Sequence, residues 1–459
     1  MVQDDPISWQ QAATEVPGQE ALLWGPHRWD FRGFAGAVAV AGEELRTLGA
    51  GPRVAVALQA PNGFRALTLA AATLEIGATL VLLHPKLTGV ETEALLSEAR
   101  PAVVAREDGL VRRPGAAIFP ERVGVVMFTS GTSGRPRGAL LSREALAAAA
   151  RASQENLPVH PGDRWLLCLP LCHIGGLSIL LRCLLGRGAV VLAPRFRSGE
   201  VLALIEQHRP TLLSVVPTML HRLLEEDQRG LLASLRAVLV GGAAAPPALL
   251  ERCARQGVLT LTTYGLTEAC SQVTTQRPRA RGTTEPGVGF PLPGVKLRLV
   301  DEDGQEVAPG EVGYLQVRGP MVMDGYLGEP PLRGWLDTGD LGSLDSQGRL
   351  HVHARRTDLI ITGGENVYPA EIEGWLTVQP GVAEAMVFGV PDPVWGQIVA
   401  AAVVPGPGFQ LERLRGAAAE GLAVHKRPKR WAVVEALPLG STGKPLRRLA
   451  LEHFAERLV

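Results

Sequence analysis

Short unbroken apolar runs alternate with longer amphipathic segments through about the first 285 residues. FRGFAGAVAVAGEELRTLG and FRALTLAAATLEIG repeat apolar residues at helical spacing, whereas RVAVALQ, TLVLLHP and PAVVARE read as short strands. The alternation continues through GAVVLAP, the helical VLALIEQH, TLLSVVP and LRAVLVGG. These strand-like runs are apolar at almost every position and end in Gly or Pro, the pattern of strands covered on both faces. An α/β architecture with mostly parallel sheets is the expectation.

The texture changes after about residue 285, where GVGFPLPGVKLRLVDEDGQEVAPGEVGYLQVRG carries short strands and turn pairs; DEDGQ and DSQG read as hairpin turns. From Arg355 a last segment mixes strands (DLIIT, EAMVFGV, AAVVPG) with helices (PAEIEGWLTV, LERLRGAAAEGL). The expected division is an N-terminal domain over 1–354, with a β-rich subdomain at about 285–354, and a C-terminal α+β unit over 355–459. No low-complexity linker separates them, so a hinge rather than a tether sets the position of the last unit.

Composition narrows the function. Apolar residues make up 46% and charged residues 20%, as in a folded globular protein, and the net charge is +0. Bulk charge therefore draws the chain to neither nucleic acid nor an anionic membrane. No apolar run is long enough to span a bilayer, and the start MVQDDPISWQ is too polar for a secretory signal, so a cytoplasmic enzyme is expected. Cys168, Cys172, Cys183, Cys253 and Cys270 form no paired framework. Cys168, Cys172 and His173 lie in an apolar run with no second ligand pair, which argues against metal there. Five of the 46 basic residues are lysine (Lys86, Lys296, Lys426, Lys429 and Lys444), so each lysine is more informative than usual.

Four stretches carry chemistry. TSGTSGRPRG, from Thr129 to Gly138, follows the apolar VGVVMF and offers backbone N–H groups and hydroxyls to an anion. It lacks the Walker A pattern, and the strand-like GALLS follows it; GSTGKP, with Pro445 after Lys444, fails the same pattern. YGLTEACSQ supplies Tyr264, an aromatic for a base, and Glu268, a carboxylate for Mg²⁺. GWLDTGDLG places Asp337 and Asp340 near a turn, where an Asp can accept ribose hydroxyls. ARRTDLIITGGENVYPAEIE sets Arg355 beside a hinge and follows it with Gly363-Gly364, a pair that admits close backbone approach.

Together with STGKPLRR, these motifs resemble, in kind and order, the adenylate-forming superfamily of acyl-CoA synthetases, luciferases and peptide-synthetase adenylation domains. The resemblance implies two α/β subdomains and a small β-barrel-like subdomain in a large N-terminal domain, followed by a small mobile α+β domain. It also implies ATP, Mg²⁺ and coenzyme A: a carboxylate is converted to acyl-AMP with release of pyrophosphate, and the acyl group then passes to coenzyme A. By the same resemblance Lys444 is the catalytic cation, Glu268 and His173 are the other catalytic residues, and Glu268 is also the metal ligand. Thr129, Ser130, Gly131, Thr132, Ser133, Gly134 and Arg137 hold the β- and γ-phosphates. Gly241, Gly242, Ala243, Tyr264, Gly265 and Thr267 frame the adenine, Asp340 and Arg355 hold the ribose, and Gly363 and Gly364 line the pantetheine path. Thr357 falls at the hinge position, where relatives often carry Asp or Lys, and Ala354 replaces a usual Gly.

LPLCHIGGLS, SVVPTMLHRLL, SLRAVLVGGAAAPPALLE and YGLTEACSQ are similar to the o-succinylbenzoate-CoA ligases of menaquinone biosynthesis. That likeness implies an acyl pocket with His173, Gly175, Gly176, Ser178, Thr218, Arg222 and Ser271. Arg222, Ser178 or Ser271 would meet the second carboxylate. Ligases of fatty, benzoic or hydroxycinnamic acids and a non-catalytic AMP-binding protein are the alternatives, with intact Glu268, Asp340 and Lys444 arguing against the last. Lys426, Arg427, Lys429 and Arg430 are either coenzyme A contacts or a solvated basic edge. The expected partner is a small carboxylic acid, without nucleic acid or a membrane span; homo-oligomer formation is left open.

Overall fold

The computed structural model describes residues 7–130, 136–355, 358–362, 365–438, 446–454 and 457–458. Two sheets with parallel centres form its framework. The 9-stranded sheet runs in the order Phe290–Pro291, Ser271–Thr275, Thr260–Leu266, Ala237–Val240, Leu212–Val215, Arg164–Leu167, Ala189–Leu192, Glu20–Trp24 and His27–Asp30. Its strands from Thr260–Leu266 to Glu20–Trp24 are parallel. The 7-stranded sheet runs Gly325–Tyr326, Pro136–Ser142, Val123–Ser130, Thr79–Leu82, Ala55–Gln59, Val103–Arg106 and Gly109–Arg112.

The apolar runs account for this arrangement. Ala189–Leu192, Leu212–Val215 and Ala237–Val240 are buried at every position, as strands with helices on both faces must be. Leu22, Trp165 and Val190 of the larger sheet share one continuous core with Val56, Leu80 and Val125 of the smaller. Some helix starts carry side-chain caps: Asp30 accepts from the Gly33 N–H and Ser142 from the Ala145 N–H.

An antiparallel 4-stranded sheet follows, ordered Lys296–Val300, Gly313–Arg318, Leu336–Leu344 and Leu350–Arg355. Asp337 and Asp340 lie within the long strand Leu336–Leu344 rather than beside a terminal turn; the strand kinks at Gly339 (φ 71°), whose N–H meets Asp337 Oδ1 at 2.9 Å. The DSQG turn joins the last two strands, with the Gly348 N–H donating to the Asp345 carbonyl at 2.9 Å. The C-terminal segment builds its own 5-stranded sheet and its own apolar core around Ile360, Ile372, Val399 and Trp431. There Glu373 accepts from Arg447 Nη2 at 2.5 Å and from the Val387 N–H at 2.8 Å, while Arg447 Nη1 reaches Asp358 at 3.2 Å.

Candidate active site

Several of the motif residues stand at the carboxyl ends of parallel strands, the usual place for a ligand in such sheets. Val123–Ser130 delivers Thr129, whose backbone partner across the hairpin is Arg137. Ala237–Val240 ends at Gly241 and Gly242, with Ala243 exposed beyond. A Cβ on Gly241 would lie 2.7 Å from Thr263 Cγ2, and Gly242 holds φ 81°, so this turn needs both glycines. The neighbouring strand carries Tyr264, and a Cβ on Gly265 would collide with the Ser271 carbonyl oxygen.

Two hydrogen bonds organise this edge. Tyr264 Oη donates to Asp340 Oδ2 at 2.6 Å, joining the large sheet to the four-stranded one; Asp340 is buried and pairs in register with Arg355. The residues expected at base and ribose are thus physically connected. Glu268 lies on the one-turn helix Thr267–Ala269 and accepts from Tyr326 Oη at 2.9 Å. Cys270 (φ 51°) and Ser271 (φ 109°) follow in backbone conformations costly for residues with a Cβ, a strain that concentrates at functional sites.

On the acyl side, Arg164–Leu167 leads into the Cys168–His173 loop and then the helix Ile174–Gly186. A Cβ on Gly176 would strike the Pro170 carbonyl, which explains the glycine: it lets the helix sit against the loop. Buried Asn62 ties the same loop down, its amide donating to the Leu169 carbonyl at 2.9 Å and its oxygen accepting from the Leu171 N–H at 2.8 Å. Ser178 and Ser271 face each other at 3.4 Å between hydroxyl oxygens. Behind them stands Arg182, only 3% exposed, donating from Nη2 to Ser271 Oγ at 3.0 Å. Its Nε has no hydrogen-bond partner and it makes no ion pair among the described residues. Burial pushes its pKa down to about 10, still high enough to stay charged at neutral pH.

Arg222, expected as a pocket cation, instead lines a surface groove with Phe196, Arg197 and Glu226. Thr218 sits near the start of the helix Pro217–Glu226. Sequence reading missed Arg182, yet a signal was present: it is the one charge inside IGGLSILLRCLLG, a helix whose other residues are apolar or small. In the C-terminal unit, Lys426 pairs with Glu371 at 2.6 Å and Lys429 lies 3.9 Å over the Trp395 ring, while Arg427 Nε donates to the Leu422 carbonyl. Gly131, Thr132, Ser133, Gly134, Thr357, Gly363, Gly364 and Lys444 lie outside the described residues, as do the side chains of Ser130 and Arg355.

His84, Cys172 and His173 bring ligand atoms within 4.8 Å of one another, a grouping that the Cys168–Cys172–His173 spacing does not anticipate. The Lys86 N–H donates to His84 Nδ1 at 3.1 Å, so neutral His84 carries its proton on Nε2 and both ring positions are committed. Burial pushes the Cys172 thiol up to about 12. The trio suits a pocket wall better than a metal centre.

Two parallel-centred sheets, a carboxylate–aromatic edge and a small separate C-terminal unit define the class of protein. The chain belongs to the AMP-binding enzymes: that family matches residues 9–118 and 106–327, and the AMP-binding enzyme C-terminal domain matches 371–444. Among its relatives is the 2-succinylbenzoate–CoA ligase of Bacillus licheniformis, 35% identical over 478 aligned residues that cover 97% of this chain and 99% of the relative. The o-succinylbenzoate CoA synthetase (MenE) of Bacillus subtilis, solved in complex with the acyl-adenylate intermediate OSB-AMP, superposes with a TM-score of 0.87 at 33% identity, covering 97% of each chain. The ATP-bound MatB of Rhodopseudomonas palustris gives a TM-score of 0.89 at 27% identity over 98% of this chain and 99% of MatB.

Proposed function

We propose that this chain is an AMP-forming acid–CoA ligase whose acid is 2-succinylbenzoate, acting in the cytoplasm in menaquinone biosynthesis. The observation that carries the substrate reading is Arg182: a buried charge without a counter-ion is expensive, and this one stands behind Ser271 and Ser178 in the expected acyl pocket. A dicarboxylic acid supplies the missing anion, with one carboxylate against Arg182 and the other left for activation. A fatty acid would leave the charge unpaired. Its relatives named for 2-succinylbenzoate support the same reading.

The strand-end residues also fit a magnesium nucleotide. Close backbone packing at Gly241 and Gly265 and the positive φ of Gly242 shape the strand ends beside Tyr264, and Asp340 is linked there by its bond from Tyr264. Magnesium, when bound, neutralises phosphate charge, and Glu268 is the residue placed to hold it. Attack of a carboxylate on the α-phosphate brings like charges together, a repulsion of about 4 kcal/mol for unit charges roughly 4 Å apart at an effective dielectric near 20. Lys444 is assigned the work of offsetting it. Thr129, Ser130, Gly131, Thr132, Ser133, Gly134 and Arg137 would hold the departing pyrophosphate, and Asp340 with Arg355 the ribose. Thr357 would serve as hinge, and Gly363 and Gly364 would admit the coenzyme A thiol.

With 2-succinylbenzoate, ATP, Mg²⁺ and coenzyme A, chromatography and mass spectrometry should find AMP, pyrophosphate and the acyl thioester in equal amounts. Formation of ADP and phosphate instead would contradict the proposal.

A further inference from the structure

The turn from Tyr326 to Glu329 touches two functional groups at once. Gly325–Tyr326 pairs antiparallel with Pro136–Ser142, setting Tyr326 opposite Ala139 and diagonal to Arg137 on the same face. The Arg137 guanidinium accordingly lies 3.5 Å over the Tyr326 ring. From the edge of that ring the hydroxyl donates to Glu268 Oε1 at 2.9 Å. The chain then turns, the Glu329 N–H donating to the Tyr326 carbonyl, and Glu329 takes Arg137 at two points, from Nε at 2.9 Å and from Nη2 at 2.6 Å.

We propose that Tyr326 is a positioning residue for the metal–nucleotide complex: its hydroxyl aims Glu268 at the divalent cation, and its ring holds Arg137 in a plane where nucleotide phosphates replace Glu329. The inference rests on the proposed roles of Glu268 and Arg137.

A carboxylate has two oxygens, and a hydroxyl that engages Oε1 fixes the group while leaving Oε2 for a cation. A phenol is protonated at neutral pH, so the Tyr326 hydroxyl is the donor and the Glu268 carboxylate the acceptor in this bond. The cation–π contact holds the guanidinium over the ring, and its two-point bond to Glu329 leaves Nη1 uncommitted to that pair. Arg137 and Glu329 are 38% and 45% exposed in their side chains, so their pairing is weak and exchangeable. A polyphosphate brings more negative charge than one carboxylate. Glu329 thus holds the arginine in place while the site is empty and yields it when nucleotide arrives.

The test is equilibrium binding on the full chain, with free Mn²⁺ followed by electron paramagnetic resonance in the presence of α,β-methylene-ATP. Tyr326→Phe keeps the ring and removes only the hydroxyl; it should weaken nucleotide-dependent Mn²⁺ binding about 10–100-fold. Glu329→Gln should tighten it roughly two- to fivefold by freeing Arg137. Metal-free nucleotide binding should change less in Tyr326→Phe than Mn²⁺ binding does, and equal losses would reduce Tyr326 to a scaffold residue and overturn the inference. Glu268→Gln separates the two levels. If it abolishes Mn²⁺ binding while Tyr326→Phe leaves binding intact, the positioning role fails; if it has no effect, the role of Glu268 itself fails.

Discussion

Lys444→Ala should lower acid-dependent pyrophosphate release on the order of 10²–10³-fold, the scale of losing one preorganised charge-stabilising group. Thioester formation from supplied acyl-adenylate should persist, because there the sulfur attacks a neutral carbonyl carbon rather than an anionic phosphate. The assignment rests on STGKPLRR and its family resemblance, strengthened by composition: the chain uses lysine only five times among 46 basic residues. A compact ammonium fits between two closing anions, whereas the planar fork of arginine suits a phosphate that is only held. On the proposed roles, Arg137 and Lys444 would divide these tasks. Single-turnover assays of each half-reaction read the difference, and an equal fall in both would remove Lys444 from the adenylation step.

Arg182→Met has the second large expected effect. Methionine keeps much of the buried volume and deletes the charge. Truncating one partner of a buried hydrogen-bonded charge pair costs about 2–5 kcal/mol, so kcat/KM for 2-succinylbenzoate should drop roughly 30-fold or more. The same substitution should scarcely affect a single-carboxylate analogue of the same skeleton that remains a substrate, since that acid never meets the guanidinium. A site built for a polar group discriminates strongly against analogues lacking it. Initial rates of pyrophosphate release with both acids give the ratio. A parallel loss for both would make Arg182 a packing residue.

The parallel strands were readable because burial on both faces leaves unbroken apolar runs such as AVVL and AVLV, and the helices because their apolar spacing is regular. The strand ends proposed for the nucleotide stand out in the sequence because their residues are contiguous: Gly241-Gly242 and YGLTE each sit at one strand end. The links between motifs were not. Tyr264 to Asp340 and Tyr326 to Glu268 are contacts across 76 and 58 positions of sequence, and no local pattern announces them. The positive φ of Cys270 and Ser271 is set by the fold around them, since neither residue type favours it. The groove position of Arg222 depends on which helix face it occupies, which its sequence neighbours do not announce, whereas the apolar company of Arg182 marks that charge as unusual.

The central claim is AMP-forming activation of 2-succinylbenzoate, and pyrophosphate release across a panel of acids tests it most directly. The panel should hold 2-succinylbenzoate, its two single-carboxylate analogues, a fatty acid, benzoate and a hydroxycinnamate, each with ATP and Mg²⁺. The highest kcat/KM is expected for 2-succinylbenzoate. No release with that acid beside strong turnover of the fatty or hydroxycinnamic acid would contradict it.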